Sequence, residues 1–159
     1  MSNYGLQAVP TGRSVHFIDE EPLAEDLRAL ADELRVRQIR VVYLDSARYV
    51  DRKWEIPNVI GYAAGTDHPP YDEENEQNWV RWSDDLLSLG NRSAGLVIIL
   101  DNAAPLFSAD RKFMTNLLEN FLHAQRSWFK REAPYHLCFQ MAPCPAVKAV
   151  FGGTPNGDA

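Results

Sequence analysis

Three stretches rich in β-branched and apolar residues close on an aspartate: VHFID at Asp19, IRVVYLD at Asp45 and GLVIILD at Asp101. In an open α/β sheet the carboxyl ends of parallel strands face a common crevice. Carboxylates gathered there can hold a magnesium ion for phosphoryl transfer. Aspartate is also a residue that readily starts turns and caps helices. No G-x-G-x-x-G or Walker pattern accompanies the three, and Gly152-Gly153 lie in the C-terminal tail. The histidines are scattered. His16 and His136 fall in strand-like runs, His68 precedes Pro69-Pro70, and His123 follows Glu119 by four residues, the spacing of a surface pair on a helix. No serine stands in a nucleophile elbow, and Cys138 sits inside an apolar run, as a small core residue does. No catalytic residue, metal site or cofactor is expected. The alternatives are a small metal-dependent phosphoryl-handling enzyme built on Asp19, Asp45 and Asp101, and an adaptor that presents an acidic face without inhibiting anything.

A second chemistry is more concentrated. Between Asp67 and Asp85 stand seven carboxylates (Asp67, Asp72, Glu73, Glu74, Glu76, Asp84, Asp85) and one basic residue, Arg81. The formal charge of the whole chain is −6, the same as that of this window, so the remaining 15 acidic and 15 basic residues balance. A field this localised steers a basic partner and repels nucleic acid. The window runs into an amphipathic helix over Asn78–Leu89. With Trp79 at the origin of a helical wheel, Trp82, Leu86 and Leu89 fall on one side, the spacing of a core-facing stripe. Val80, Arg81, Asp84 and Ser88 take the opposite side, with Leu87 at its flank. An aspartate held outward on a rigid helix, beside an exposed valine and leucine, suits docking. The expected partner-binding set is therefore Asp84, Val80, Arg81, Leu87 and Ser88, with Asn78 at the helix start. The approach to it adds Tyr71, Asp72, Glu73, Glu74 and Glu76.

The elements that must hold this helix follow from periodicity. At 159 residues and 45% hydrophobic content the chain suits one domain with a substantial core. No apolar run reaches membrane-spanning length, and the first 13 residues carry no secretory pattern. The two cysteines, Cys138 and Cys144, have neither metal-ligand nor disulfide-framework spacing, so a cytoplasmic setting is expected. Residues 1–14 are expected to be a flexible N-terminus, 15–141 a single domain and 142–159 a loose tail. Val15–Asp19, Ile39–Asp45, Gly95–Asp101 and Tyr135–Met141 are the strand candidates. Leu23, Leu27, Leu30 and Leu34 space out a helix. A long helix is expected from a Ser108 cap through Glu132, with Asp110 near its positive end. Its apolar face is broad enough to require a sheet. Residues 46–77 are the hardest to read: Asp51–Ala64 offers a helical turn or two, interrupted by Pro57 and Gly61. The alternation predicts an α/β fold with a small, mostly parallel sheet of three to four strands covered by helices.

From Asn78 onward the sequence NWVRWSDDLLSLGNRSAGLVIILD, followed by a Ser/Ala-rich helix start and the strand YHLCF, resembles the barstar family. These are cytoplasmic inhibitors of secreted ribonucleases of the barnase type. IRVVYLDSARYVDR resembles the family's first strand and following turn, so the likeness spans roughly residues 39–141. It implies a barstar-like fold and a non-enzymatic immunity protein whose acidic helix and loop plug the active-site cleft of a basic toxin. Asp84 matches the family's key helix aspartate, a mimic of substrate phosphate. Neither nucleic acid nor membrane is an expected partner. Val80 stands where the family usually has aspartate, YDEENEQ replaces its aromatic-glycine lead-in, and residues 1–38 have no counterpart. These departures point to a toxin with a differently shaped cleft.

Overall fold

A computed structural model describes residues 14–18, 24–65, 71, 76–89 and 94–141. Of the expected flexible segments, residues 1–13 and 142–159 lie outside the described residues, as does Asp19; Ser14 is instead buried and fixed, its carbonyl accepting from the Leu137 amide at 2.8 Å and its hydroxyl donating to Gln125 at 2.7 Å. The elements run β1 (Val15–Ile18), α1 (Ala24–Val36), β2 (Arg40–Asp45), a 3-10 turn (Ser46–Tyr49), α2 (Glu55–Ala64) and α3 (Glu76–Leu89). They continue with β3 (Leu96–Asp101), α4 (Ala104–Ala109), α5 (Arg111–His123), α6 (Gln125–Lys130) and β4 (Tyr135–Gln140). The four strands form one parallel sheet in the order β1-β4-β3-β2. The expected α/β class and parallel sheet are observed.

A parallel sheet covered on both faces needs apolar residues at successive positions, and LVIIL supplies them. Leu96, Ile98 and Leu100 of β3 join Val42, Leu44, Tyr135, Leu137 and Phe139 in the larger core, under α2 to α6. Val97 and Ile99 point the other way and meet Val41, Cys138 and, on α1, Leu30, Ala31 and Leu34. The N-terminal strand and helix thus do two jobs: β1 extends the sheet beside β4, and α1 closes its second face. Gln38, in the left-handed region at φ 64, turns the chain from α1 into β2, with the Ile39 amide donating to Leu34 O. Gly95 lets the chain enter β3 close against Pro134. A Cβ there would lie 3.0 Å from Pro134 O and 3.2 Å from two Pro134 carbons.

Two expectations are corrected. Pro57 and Gly61 do not interrupt α2. Pro57 is its third residue, where a helix has no intrahelical use for an N–H, and the helix continues to Gly65, whose φ of 104 ends it. The single helix from Ser108 is instead three. Asp110, at φ −153 and ψ 88, leaves the helical conformation after α4 and caps α5, its carboxylate accepting from the Phe113 amide at 3.0 Å. The ladder loosens again at Ala124, near the point where Phe121 O accepts the buried Tyr135 hydroxyl at 2.6 Å.

Asp110 also receives Lys53, which ties the loop before α2 to the start of α5. Burial alone would raise the Asp110 pKa. The Lys53 hydrogen bond, the Phe113 amide and the Lys53 charge outweigh that and hold it below its ordinary value. A depressed folded pKa gives stability that is complete above the unfolded value, about 3.9, and is lost as pH falls through the folded one. We expect Asp110→Ala to lower unfolding stability by about 1–3 kcal/mol at pH 7. In urea titrations the gap to wild type should narrow below about pH 4. A gap that stays constant from pH 7 down to pH 3 would show that the carboxylate charge is not what stabilises this junction.

Candidate functional site

The rotation of α3 is set by its tryptophans. Trp79 and Trp82 are 4% and 1% exposed. They pack edge-on at 5.7 Å, and Trp79 lies 4.8 Å from Trp54 and 5.4 Å from Phe113. Hydrogen bonds then fix the helix to its surroundings. The Trp82 indole donates to Pro57 O at 3.1 Å and Ser83 Oγ to Asn120 O at 3.4 Å. In the last turn, where helix carbonyls lack N–H partners, Trp128 Nε1 donates to Leu86 O and Ser127 Oγ to Leu87 O, each at 3.1 Å. The helix is a rigid platform held by α2, α5 and α6.

Its outward stripe is Gln77, Val80, Asp84 and Ser88, all exposed, with Val80 at 51%. The stripe therefore faces solvent as its spacing predicts. Ser88 Oγ donates back to Asp84 O at 3.0 Å, leaving the Asp84 side chain outward. Asp84 has no ion-pair partner among the described residues. Leu87 is half-buried against the larger core, so it borders the stripe rather than standing on it.

The remaining expected residues separate into two groups. Arg81 is half-buried. Its guanidinium lies 4.7 Å from the centre of the Tyr71 ring and donates to Asn78 Oδ1 at 3.3 Å, so Arg81 and Asn78 brace the helix start. Tyr71 is only 1% exposed and belongs to the core rather than to a docking face. Its hydroxyl donates to Asp85, which is half-buried and stands off the outward stripe. Asp72, Glu73 and Glu74 lie outside the described residues. Glu76 opens α3, and its side chain is likewise outside them.

Three residues that sequence reasoning did not assign to this surface share it. A groove of about 310 Å3 runs between α3 and α5, lined by Val80, Ser83 and Asp84 on one wall and by Glu119, Asn120 and His123 on the other. Glu119 and His123 are four apart on α5, the spacing that placed them on one helix face. That this face adjoins Asp84 is visible only once the helices are packed.

The strand-end carboxylates are arranged differently. Asp45 and Asp101 are register partners at the carboxyl edge of the sheet, and each is engaged locally. Asp101 accepts from the Tyr43 hydroxyl at 2.8 Å and from the Asn102 amide at 3.0 Å. Asp45 accepts from Asn102 Nδ2 at 3.2 Å and pairs with Arg48 at 3.3 Å. Asn102 itself sits in the left-handed region at φ 51, so these bonds hold a tight turn. Burial, the hydrogen bond to Asp101 and the nearby negative charge push the Tyr43 phenol up to about 12. Burial pushes the Cys138 thiol far above its usual range, leaving it a poor nucleophile at neutral pH. No cluster of three or more His, Cys, Asp or Glu side chains placed to hold a metal occurs among the described residues. None of the helices among the described residues is long and apolar enough to cross a membrane.

No protein-family model, curated protein or solved structure matches this chain.

Asn58 clamps the backbone of Tyr71. Asn58, on α2, accepts from the Tyr71 N–H at 2.8 Å and donates to Tyr71 O at 2.8 Å and to Trp54 O at 2.8 Å. Asn58→Ala should destabilise the protein by about 1–3 kcal/mol, the cost of orphaning buried backbone groups. It should also speed hydrogen exchange of the Tyr71 amide. Unchanged exchange at Tyr71 would mean that Asn58 does not hold this backbone.

Proposed function

We propose that this protein is a non-enzymatic immunity protein that acts in the cytoplasm. It binds a basic toxin, a ribonuclease, and blocks the active-site cleft with the outward face of α3. The single observation that carries this reading is Asp84. It projects from a helix tethered on three sides, unpaired among the described residues and beside a half-exposed valine. A rigid carboxylate loses little freedom on binding, and an apolar neighbour that excludes water strengthens its pairing with a cation. The acidic window from Asp67 to Asp85 adds a steering field. The likeness of residues 39–141 to the barstar family supports the same use of the helix. The enzyme reading has less support, because Asp45 and Asp101 spend their hydrogen bonds on a turn.

The test is inhibition of a panel of barnase-type ribonucleases, with co-expression to measure protection of the cell. Asp84→Ala should weaken binding by about 2–5 kcal/mol, since it leaves the enzyme's cations buried and uncompensated. Its effect on unfolding should stay within about 0.5 kcal/mol, as for other exposed helical positions. Asp32→Ala is the control, because Asp32 is exposed on α1, which covers the opposite face of the sheet. Full inhibition by Asp84→Ala, or failure of wild type against every enzyme of the panel, would overturn the proposal.

Electrostatic steering gives a second check. The association rate with an inhibited ribonuclease should fall about tenfold or more between low salt and a few hundred millimolar. A rate flat across that range would place the acidic window outside the interface.

A further inference from the structure

Residues 35–40 read RVRQIR, three arginines with no carboxylate among them. Two of these arginines meet on a groove of about 460 Å3 at the amino end of the sheet. Arg35, from the last turn of α1, and Arg40, the first residue of β2, line it with Ile39, Val41, Ala63 and Ala94. None of these residues belongs to the outward stripe of α3. Both arginines are exposed. Arg35 donates to Asp32 at 3.2 Å and to Val41 O at 3.4 Å, and Arg40 donates to Ala63 O at 3.1 Å. Each head is thereby held in place while most of its five N–H donors stay unused. Arg40 has no ion-pair partner among the described residues. The Arg35–Asp32 pair is exposed on both sides, and such a pair exchanges readily for another anion because water screens it. The negative ends of α1 and α2 lie beside the groove, but their carbonyls have other donors. The Arg37, Gln38 and Ile39 amides close α1, and the Gly65 amide closes α2. The helix ends therefore do not use up the two cations.

We propose that this groove binds a small phosphate monoester, its phosphate held between Arg35 and Arg40. The site is independent of the docking reading above and lies on a different part of the surface. Three features select this ligand. First, two cations on separate elements match a dianion better than a singly charged carboxylate. A phosphate monoester carries a charge of about −1.5 to −2 at neutral pH and three acceptor oxygens, so both guanidinium forks can engage it at once. A carboxylate has two oxygens, enough for one such fork. Second, the exposed carboxylates of Asp32 and Glu33 stand one turn back along α1. They leave room for a compact anion but repel the successive phosphates of a nucleic-acid strand. Third, the volume falls within the roughly 300–1,000 Å3 typical of small-molecule sites. Ala63 and Ala94, both exposed, give the remainder of the ligand an apolar rim.

The experiment follows amide chemical shifts of the full chain at low salt while ribose 5-phosphate is added. Ribose, sodium acetate and a hexauridylate RNA with a 5′-hydroxyl end serve as comparisons at matched ionic strength. Ribose 5-phosphate should shift Arg35–Val41, Ala63 and Ala94 and bind about tenfold or more tightly than acetate. Ribose should give no saturable shift. Arg35→Gln and Arg40→Gln should each weaken binding about threefold or more. Asp32→Asn should strengthen it about twofold or more by removing the competing carboxylate, a gain that unfolding cannot mimic. Arg111→Gln, which removes an exposed cation at the start of α5, should leave binding unchanged. Shifts spread over the basic surface, acetate binding as tightly as ribose 5-phosphate, or an Arg111→Gln effect as large as that of Arg40→Gln would overturn the site. Tighter binding of the RNA than of ribose 5-phosphate would overturn it too, by assigning the groove to a nucleic-acid strand. The readout uses no ribonuclease, so the site and the toxin reading stand or fall separately.

Discussion

The burial of Trp79 and Trp82 governs what the rest of the molecule presents. Each indole removes a large apolar area from water, worth on the order of 4–6 kcal/mol at about 25 cal/mol per Å2. A helix advances about 100° per residue. Any substantial rotation of α3 would therefore bring a tryptophan into solvent and carry Asp84 toward the core, where a carboxylate without a partner is strongly disfavoured. The two penalties act in the same direction. They leave one rotation, and that rotation sets Val80, Asp84 and Ser88 outward.

Fixing the rotation leaves polar groups to satisfy, and the fold does so with side chains drawn from distant segments. The indole of Trp82 meets a proline carbonyl on α2. The indole of Trp128 and the hydroxyl of Ser127 meet the last carbonyls of α3. Asn58 does the same for the backbone of Tyr71. Each bond contributes only about 1 kcal/mol net, but leaving such a buried group unpaired costs more. The result is a platform whose position is over-determined. A protein that acts by presenting a surface benefits from this, since freedom retained in the free state must be surrendered on binding.

The two sides of the sheet are used unequally. The larger core, under five helices, carries the tethering of α3. The smaller one, under α1, is an apolar cover for Val41, Val97, Ile99 and Cys138. The strand-end aspartates lie between these regions. Their bonds to Tyr43, Asn102 and Arg48 hold the turns that lead from the sheet into the helices, a role that the turn preference of aspartate accounts for.

Local periodicity was enough to determine the four strands, the alternation of strand and helix, the parallel sheet and the facing of α3. In each case one stripe of residues is apolar and another is not. It failed where a residue's fate depends on a partner far along the chain. Tyr71 and Asp85 read as members of an acidic surface, yet Tyr71 is buried, clamped by Asn58, and its hydroxyl bonds the half-buried Asp85. Asp110 looked like a charge near a helix end; the bond from Lys53, 57 residues away, and its own extended backbone make it the junction of two helices. Pro57 and Gly61 carried the usual signals of interruption, yet Pro57 falls in a first turn, where its missing N–H costs nothing. Glu119 and His123 gave a helical spacing and no more. Their place opposite Asp84 is a property of how α5 packs on α3, which no pattern within either helix encodes.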